Sequence, residues 1–93
     1  MPLRFTWNPR KALSSQRKHR VSFPEATTAF ADPLSVTIPD PDHSVGEQRF
    51  LLVGMTAVGH LVVVAHSERG GDIRVISARH ATRHERETYE EGT

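Results

Sequence analysis

The chain has no cysteine, few aromatic residues and no long apolar run, and each absence narrows what it can be. Without cysteine, neither a disulfide framework nor a thiolate zinc site can staple the fold. Aromatic residues make up 6% of 93 positions, which leaves little material for stacking planar ligands and would allow little sequence preference toward any nucleic acid. No apolar stretch approaches the roughly 18 residues that cross a bilayer, and the N-terminal segment lacks the apolar centre of a signal peptide. P-loop, GxGxxG and GxSxG patterns are missing, which disfavours nucleotide hydrolysis and serine acyl transfer. A soluble, cytoplasmic protein with no membrane partner is predicted. Ninety-three residues allow one domain, 1–93, with a thin core.

What is present is segregated charge. Residues 1–20 carry six basic side chains (Arg4, Arg10, Lys11, Arg17, Lys18, Arg20) and no acid. Residues 21–48 carry five acids (Glu25, Asp32, Asp40, Asp42, Glu47) and no lysine or arginine, and residues 49–93 hold six of each sign. A basic front third can neutralise phosphates locally although the net charge is only +1. The alternative is an ordinary solvated helix face.

Periodicity predicts an α+β domain. Residues 3–7 alternate as a strand does, and Asn8-Pro9 pairs an N-cap with proline at the first helical position, opening a helix over 9–19. Its narrow apolar side carries Ala12, Leu13 and Gln16. Ser22 with Glu25 forms a capping box for a short second helix that places Phe23, Ala26 and Phe30 on one face and stops at Asp32-Pro33. Residues 34–38 read as a strand, 39–44 as a proline-rich turn, and 50–55, 61–67 and 73–78 as a β-meander. Val58-Gly59 and Gly70-Gly71 sit at its turns. Thr82 with Glu85 is a second capping box, opening a helix that ends near Gly92. The order β-α-α-β-β-β-β-α implies helices packed on one face of a small antiparallel sheet.

Alternation also nominates a site. Val62, Val64, His66 and Glu68 share one face of their strand. In the next strand Ile73, Val75, Ser77 and Arg79 share a face opposed to Arg74, Ile76 and Ala78. His66, Glu68, Arg74 and Arg79 thus form a polar set on an apolar sheet, in a register that spacing leaves open. Such a set suits RNA cleavage by the substrate's own 2′-OH, which needs a base, cations for the developing phosphoryl charge and an acid for the leaving oxygen. Glu68 or His66 fits the base, Arg74 and Arg79 the clamp, and His80 or Tyr89 the acid. Arg10, Lys11, Arg17 and Lys18, with His80 and Arg83, are the candidate phosphate contacts. The bland alternative is a cross-strand ion pair contributing well under about 1 kcal/mol and solvated arginines. His80 and His84 have the spacing of paired metal ligands, but Thr82 caps a helix between them. Asp40, Asp42 and His43 lie in a turn that needs no ion. No metal or cofactor is expected.

The residues Arg74-Val75-Ile76-Ser77-Ala78-Arg79-His80-Ala81-Thr82, followed by Glu85 and Tyr89-Glu90-Glu91, resemble the R-x-I-S-A-R-x-A-T…E…Y-E signature of the BrnT family. Phe5-Thr6-Trp7, Pro9-Arg10-Lys11, Lys18-His19, Val21-Ser22-Phe23, Glu25-Ala26, Phe30-Ala31-Asp32-Pro33 and Asp40-Pro41-Asp42-His43-Ser44 with Glu47 and Arg49 follow in matching order. The resemblance spans nearly the whole chain. It implies a RelE-like fold and a toxin of a type II toxin–antitoxin system that cuts RNA and blocks translation. It also implies a BrnA-like ribbon-helix-helix antitoxin, through which alone the toxin would meet DNA in repressing its own operon. The motif positions carried over are Lys11, Lys18, His19, Glu68, Arg74, Ser77, Arg79, Glu85 and Tyr89. A second function compatible with the same residues is a non-catalytic module that docks the antitoxin.

Three positions depart from the family pattern. Asn8 replaces aspartate, another good cap, and Ser15 stands where asparagine is common. Arg20 replaces the glycine that would close the first helix in left-handed geometry. Either Arg20 adopts that geometry at a cost of about 1 kcal/mol, or the helix exits differently.

Overall fold

The computed structural model describes residues 3–40 and 46–92. In order these form β1 (Arg4–Thr6), α1 (Pro9–His19), α2 (Phe23–Thr28) with a following 3-10 turn (Ala29–Ala31), β2 (Val36–Pro39), β3 (Arg49–Met55), β4 (Leu61–Arg69), β5 (Asp72–His80) and α3 (Arg83–Glu91). The predicted β-α-α-β-β-β-β-α order is the observed one, a RelE-like small α+β fold. One five-stranded sheet runs β1-β5-β4-β3-β2. The meander is antiparallel, but β1 joins the edge of β5 in parallel, so the sheet is mixed.

Local chemistry accounts for the element ends. The Asn8 side chain accepts from the Arg10 and Lys11 amides, and the Ser22 side chain accepts from the Glu25 amide; the Glu25 carboxylate turns to Thr56 and His60 instead, so only half of the expected capping box forms. Thr82 and Glu85 close a full capping box. Gly70 and Gly71 both have positive φ (55° and 90°), as a two-residue turn between twisted strands requires. At the end of α1, Arg20 sits in left-handed geometry (φ 62°, ψ 28°) and its amide donates to the Gln16 carbonyl, so the strained of the two exits is realised.

The core fills one face of the sheet, here the inner face. Leu52, Val62, Val64, Val75 and Ala78 meet Val21, Phe23, Ala26 and Ala29 from the helical segment. Burying a side chain such as Phe23 or Val64 stabilises by about 1.5–3 kcal/mol. Gly54 lets the 3-10 turn approach: a Cβ there would meet the Ala29 carbonyl oxygen at 3.0 Å.

Three expectations need correction. First, α1 does not bury Leu13, which is 57% exposed; it buries Ser15. The Ser15 hydroxyl bridges the amide and carbonyl of Ala78, both at 3.3 Å. It pairs part of the β5 edge beyond the short β1, and a larger residue would hold the helix away. Second, the helices do not share a face. Helix α3 crosses the outer face, over Val36, Val53 and Val63. That face is also apolar, because β3 reads as a nearly unbroken hydrophobic run, so both sides need cover. Third, the alternation of β5 breaks at a bulge: Ala65 pairs with Ser77 while His66 pairs with Val75, leaving Ile76 extra. Val75 and Ala78 therefore both enter the core, and Arg74 and Arg79 share the outer face instead of opposing one another.

Candidate active site on the outer sheet face

The hairpin end of the sheet concentrates the charge. Arg49, Ser67, Arg74 and Thr6 stand side by side across β3, β4, β5 and β1. Directly paired residues project to the same side, so this row lies on the outer face. Beneath it, Arg69 pairs with Glu47 and Arg4 with Asp72. Arg74 is half-buried, and its side chain makes no hydrogen bond or ion pair among the described residues. Beside it the Ser67 hydroxyl is buried with no hydrogen-bond partner among the described residues. The hydrogen bond from Arg69 holds the Glu47 carboxyl below its ordinary range, helped by the nearby Ser67 hydroxyl and Arg49. The Ser67 contact lacks proper hydrogen-bond geometry. A half-buried cation, an unpartnered hydroxyl and an ionised carboxylate thus share one patch.

The set nominated from alternation is only partly brought together. Ser67 pairs with Arg74, which sends Glu68 and His66 to the inner face, opposite Arg74. Glu68 is exposed at its rim. His66 is 3% exposed, its ring edge-on to Phe30 and stacked on Phe50, with Nδ1 at 3.2 Å from the Val64 carbonyl. Burial pushes its pKa down, outweighing the Val64 carbonyl and the Glu68 charge, so the imidazole is a neutral core group.

Arg79 lies about 13 Å from Arg74 along the sheet, the rise of four residues of β4. Its guanidinium is engaged bidentately by Glu85 at 2.7 and 2.8 Å. Glu85 also accepts from the Thr82 amide, and these contacts, Arg79 first, hold its pKa at about 2. Tyr89 is buried, its hydroxyl donating to Asp32 at 2.6 Å, which raises its pKa to about 12. Arg79 fastens α3 to β5 and Tyr89 fastens it to Asp32 beyond the 3-10 turn, and neither is placed beside Arg74. Ser77, one row above Arg74, pairs with Ala65.

Of the candidate RNA contacts, Arg10, Lys11, Arg17 and Lys18 are exposed on α1. Arg10, Arg17 and Lys18 rim an open depression containing Leu13. His80 is at the opposite sheet end, its ring 5.4 Å from that of His60. Glu25 accepts from Thr56 and lies 2.7 Å from His60 Nδ1. Arg83 is exposed and pairs with Glu87. His19 is half-buried at the end of α1.

Among the described residues no group of three or more His, Cys, Asp or Glu is placed to hold a metal ion. Asp42 and His43 lie outside the described residues. No helix among the described residues is long and apolar enough to cross a membrane.

Reading alternation alone missed Arg49, Ser67, Glu47 and Arg69 as a group. The available signal was weak: arginines at a strand start (Arg49) and a strand end (Arg69), meaningful only once the register is known.

Comparison with known proteins agrees with this architecture. A crystal structure of the Brucella abortus ribonuclease toxin BrnT superposes with a TM-score of 0.69 over 88% of this chain and 100% of that one, at 18% identity, which shows a shared fold. No curated protein matches the sequence. Residues 7–85 match the sequence model of the family described as "Ribonuclease toxin, BrnT, of type II toxin-antitoxin system". With that match covering most of its length, the chain belongs to the BrnT family of ribonuclease toxins.

Proposed function

We propose that the protein is an endoribonuclease that cuts RNA without a metal, by attack of the 2′-OH on the adjacent phosphorus, at the outer-face row of Arg49, Ser67 and Arg74. The observation that carries this reading is the half-buried Arg74, unpartnered among the described residues, beside the orphaned Ser67 hydroxyl. A phosphate would pair with the Arg74 guanidinium, which meets the charge that develops on its non-bridging oxygens. Glu47 and Asp72 are the carboxylates on that face, and Glu47, next to Ser67, is the one proposed to take the 2′-OH proton, with its basicity reduced by the Arg69 ion pair. The P–O5′ bond breaks, leaving a 2′,3′-cyclic phosphate and a 5′-OH that takes its proton from water. Glu68, on the other face, is the competing base.

In a type II system such a toxin has a cognate antitoxin. The binding-module reading has one specific support. Leu13, 57% exposed between Arg10 and Arg17, suits an acidic amphipathic antitoxin segment better than it suits phosphate alone. A ribbon-helix-helix antitoxin would carry the complex to DNA.

The test is RNA cleavage with EDTA present, using wild type and Arg74→Ala, Glu47→Gln and Glu68→Gln proteins of matched thermal stability. The expected loss for Arg74→Ala is about 10²–10³-fold, as for other groups that stabilise developing charge. Full cleavage by Arg74→Ala would remove the row from the mechanism. Loss in Glu68→Gln but not Glu47→Gln would return the base to the inner-face rim. No cleavage by wild type would favour the binding module.

A further inference from the structure

Between α3 and the outer face lies a slot of about 260 Å³. Its floor is Ile38, Leu51, Val53 and Val63, and its wall includes Tyr89 and His84. Most polar groups around it are already occupied: Glu85 is held by Arg79, the Tyr89 hydroxyl by Asp32, and Thr88 donates to the His84 carbonyl. The His84 imidazole is the exception, without a partner among the described residues. Ile38 is nonetheless 48% exposed, so this apolar space is open to an occupant.

Its position bears on what that occupant is. Leu51 is two residues from Arg49 on the same face of β3, and it pairs with Ala65, two residues from Ser67. With strands about 4.8 Å apart and a rise of about 3.4 Å per residue, Leu51 lies about 8 Å from Ser67. That is the kind of separation a nucleotide spans between its phosphate and its base. The slot is roofed by α3 and has room for a planar ring, whereas a docked helix needs an open trough. Phenol and imidazole rings at its side suit stacking, which accepts any π-face.

Resting on the reading of the Arg49–Ser67–Arg74 row as the phosphate site, we infer that this slot is a nucleobase subsite for a base next to the scissile phosphate. With so few free polar groups it selects by ring size rather than by base-edge hydrogen bonds, so a purine and a pyrimidine are distinguished more strongly than two pyrimidines.

The experiment is methyl and arginine Nε NMR of the full chain titrated with uncleavable deoxydinucleotides of adenine and of thymine, and with inorganic phosphate. The expected result is that one dinucleotide shifts the methyls of Leu51, Val53 and Val63 together with Arg74 Nε, while phosphate shifts Arg74 alone. Thr88→Leu, which adds aliphatic bulk and no π-face at an exposed position on the slot wall, should weaken that dinucleotide about tenfold or more, the scale of one stacked base, and leave phosphate binding unchanged. Arg74 shifts with silent slot methyls, or equal dinucleotide binding by Thr88→Leu, would overturn the subsite. So would methyl shifts that track protein concentration alone, which assign the slot to a second copy of the chain. Slot methyls that respond while Arg74 stays silent would support the subsite and remove the phosphate row instead.

Discussion

Arg79 and Glu85 form a two-pronged ion pair that ties the end of β5 to the first turn of α3. The same carboxylate completes the capping box with Thr82, so one side chain serves helix start and helix docking together. The arginine that the sequence nominates as a phosphate clamp thus also fastens two elements together.

That pair should appear in the acid limb of stability. Glu85 is lowered from 4.5 to about 2, so its contribution is fully present above the unfolded value and is lost as pH falls from about 4.5 through 2. Glu85→Gln is expected to cost about 1–2 kcal/mol at pH 7, discounted for the partial exposure of both partners. Urea midpoints at pH 7 and pH 2.5 check this: the gap between wild type and variant should narrow at the lower pH.

Arg20→Gly is expected to stabilise. Glycine removes the left-handed strain of about 1 kcal/mol, partly offset by the greater freedom it gives the unfolded chain. A net gain of roughly 0.5 kcal/mol corresponds to about 2–4 °C in Tm for a domain of this size. A lowered Tm would mean that Arg20 makes a compensating contact.

His66 should oppose folding in mild acid. Its folded pKa is depressed, so below about 6.5 the unfolded chain takes up a proton that the folded chain refuses. Stability therefore falls as pH drops from about 6.5 toward that lower value. His66→Phe should flatten this part of the profile and, if the fold is kept, leave RNA cleavage in place. A cleavage defect without a stability defect would restore His66 to the chemistry.

Tyr89→Phe should destabilise by about 1–1.5 kcal/mol, because Asp32 loses a hydrogen bond while still accepting from the Leu34 and Met55 amides. RNA cleavage at matched folded fraction should be unchanged. Loss of cleavage alone would make the hydroxyl a participant.

If α1 holds RNA phosphates, Lys11→Ala and Arg17→Ala should each weaken binding similarly across RNA sequences. Each should also reduce the slope of log affinity against log salt by about 0.7, the single-strand value per phosphate neutralised. Affinity titrations at several salt concentrations test this. Unchanged slopes would leave the face, with Leu13 at its centre, to the antitoxin.

Local chemistry was legible in the chain. Asn8-Pro9, Ser22, and Thr82 with Glu85 each started a helix where side chains satisfy free amides, and Gly70-Gly71 turned a hairpin because only such residues accept its backbone angles. These interactions span a few residues and are therefore readable from the chain, along with element order and the family signature. The site depended on relations between distant residues. The bulge at Ile76 moved Arg74 and Arg79 onto one face, and the register of β4 with β5 sent Glu68 and His66 to the other. It also set Arg49, Ser67 and Arg74 in one row across three strands. Alternation has a period of two, so one extra residue reverses every later side chain, and only the folded sheet decides where that residue goes.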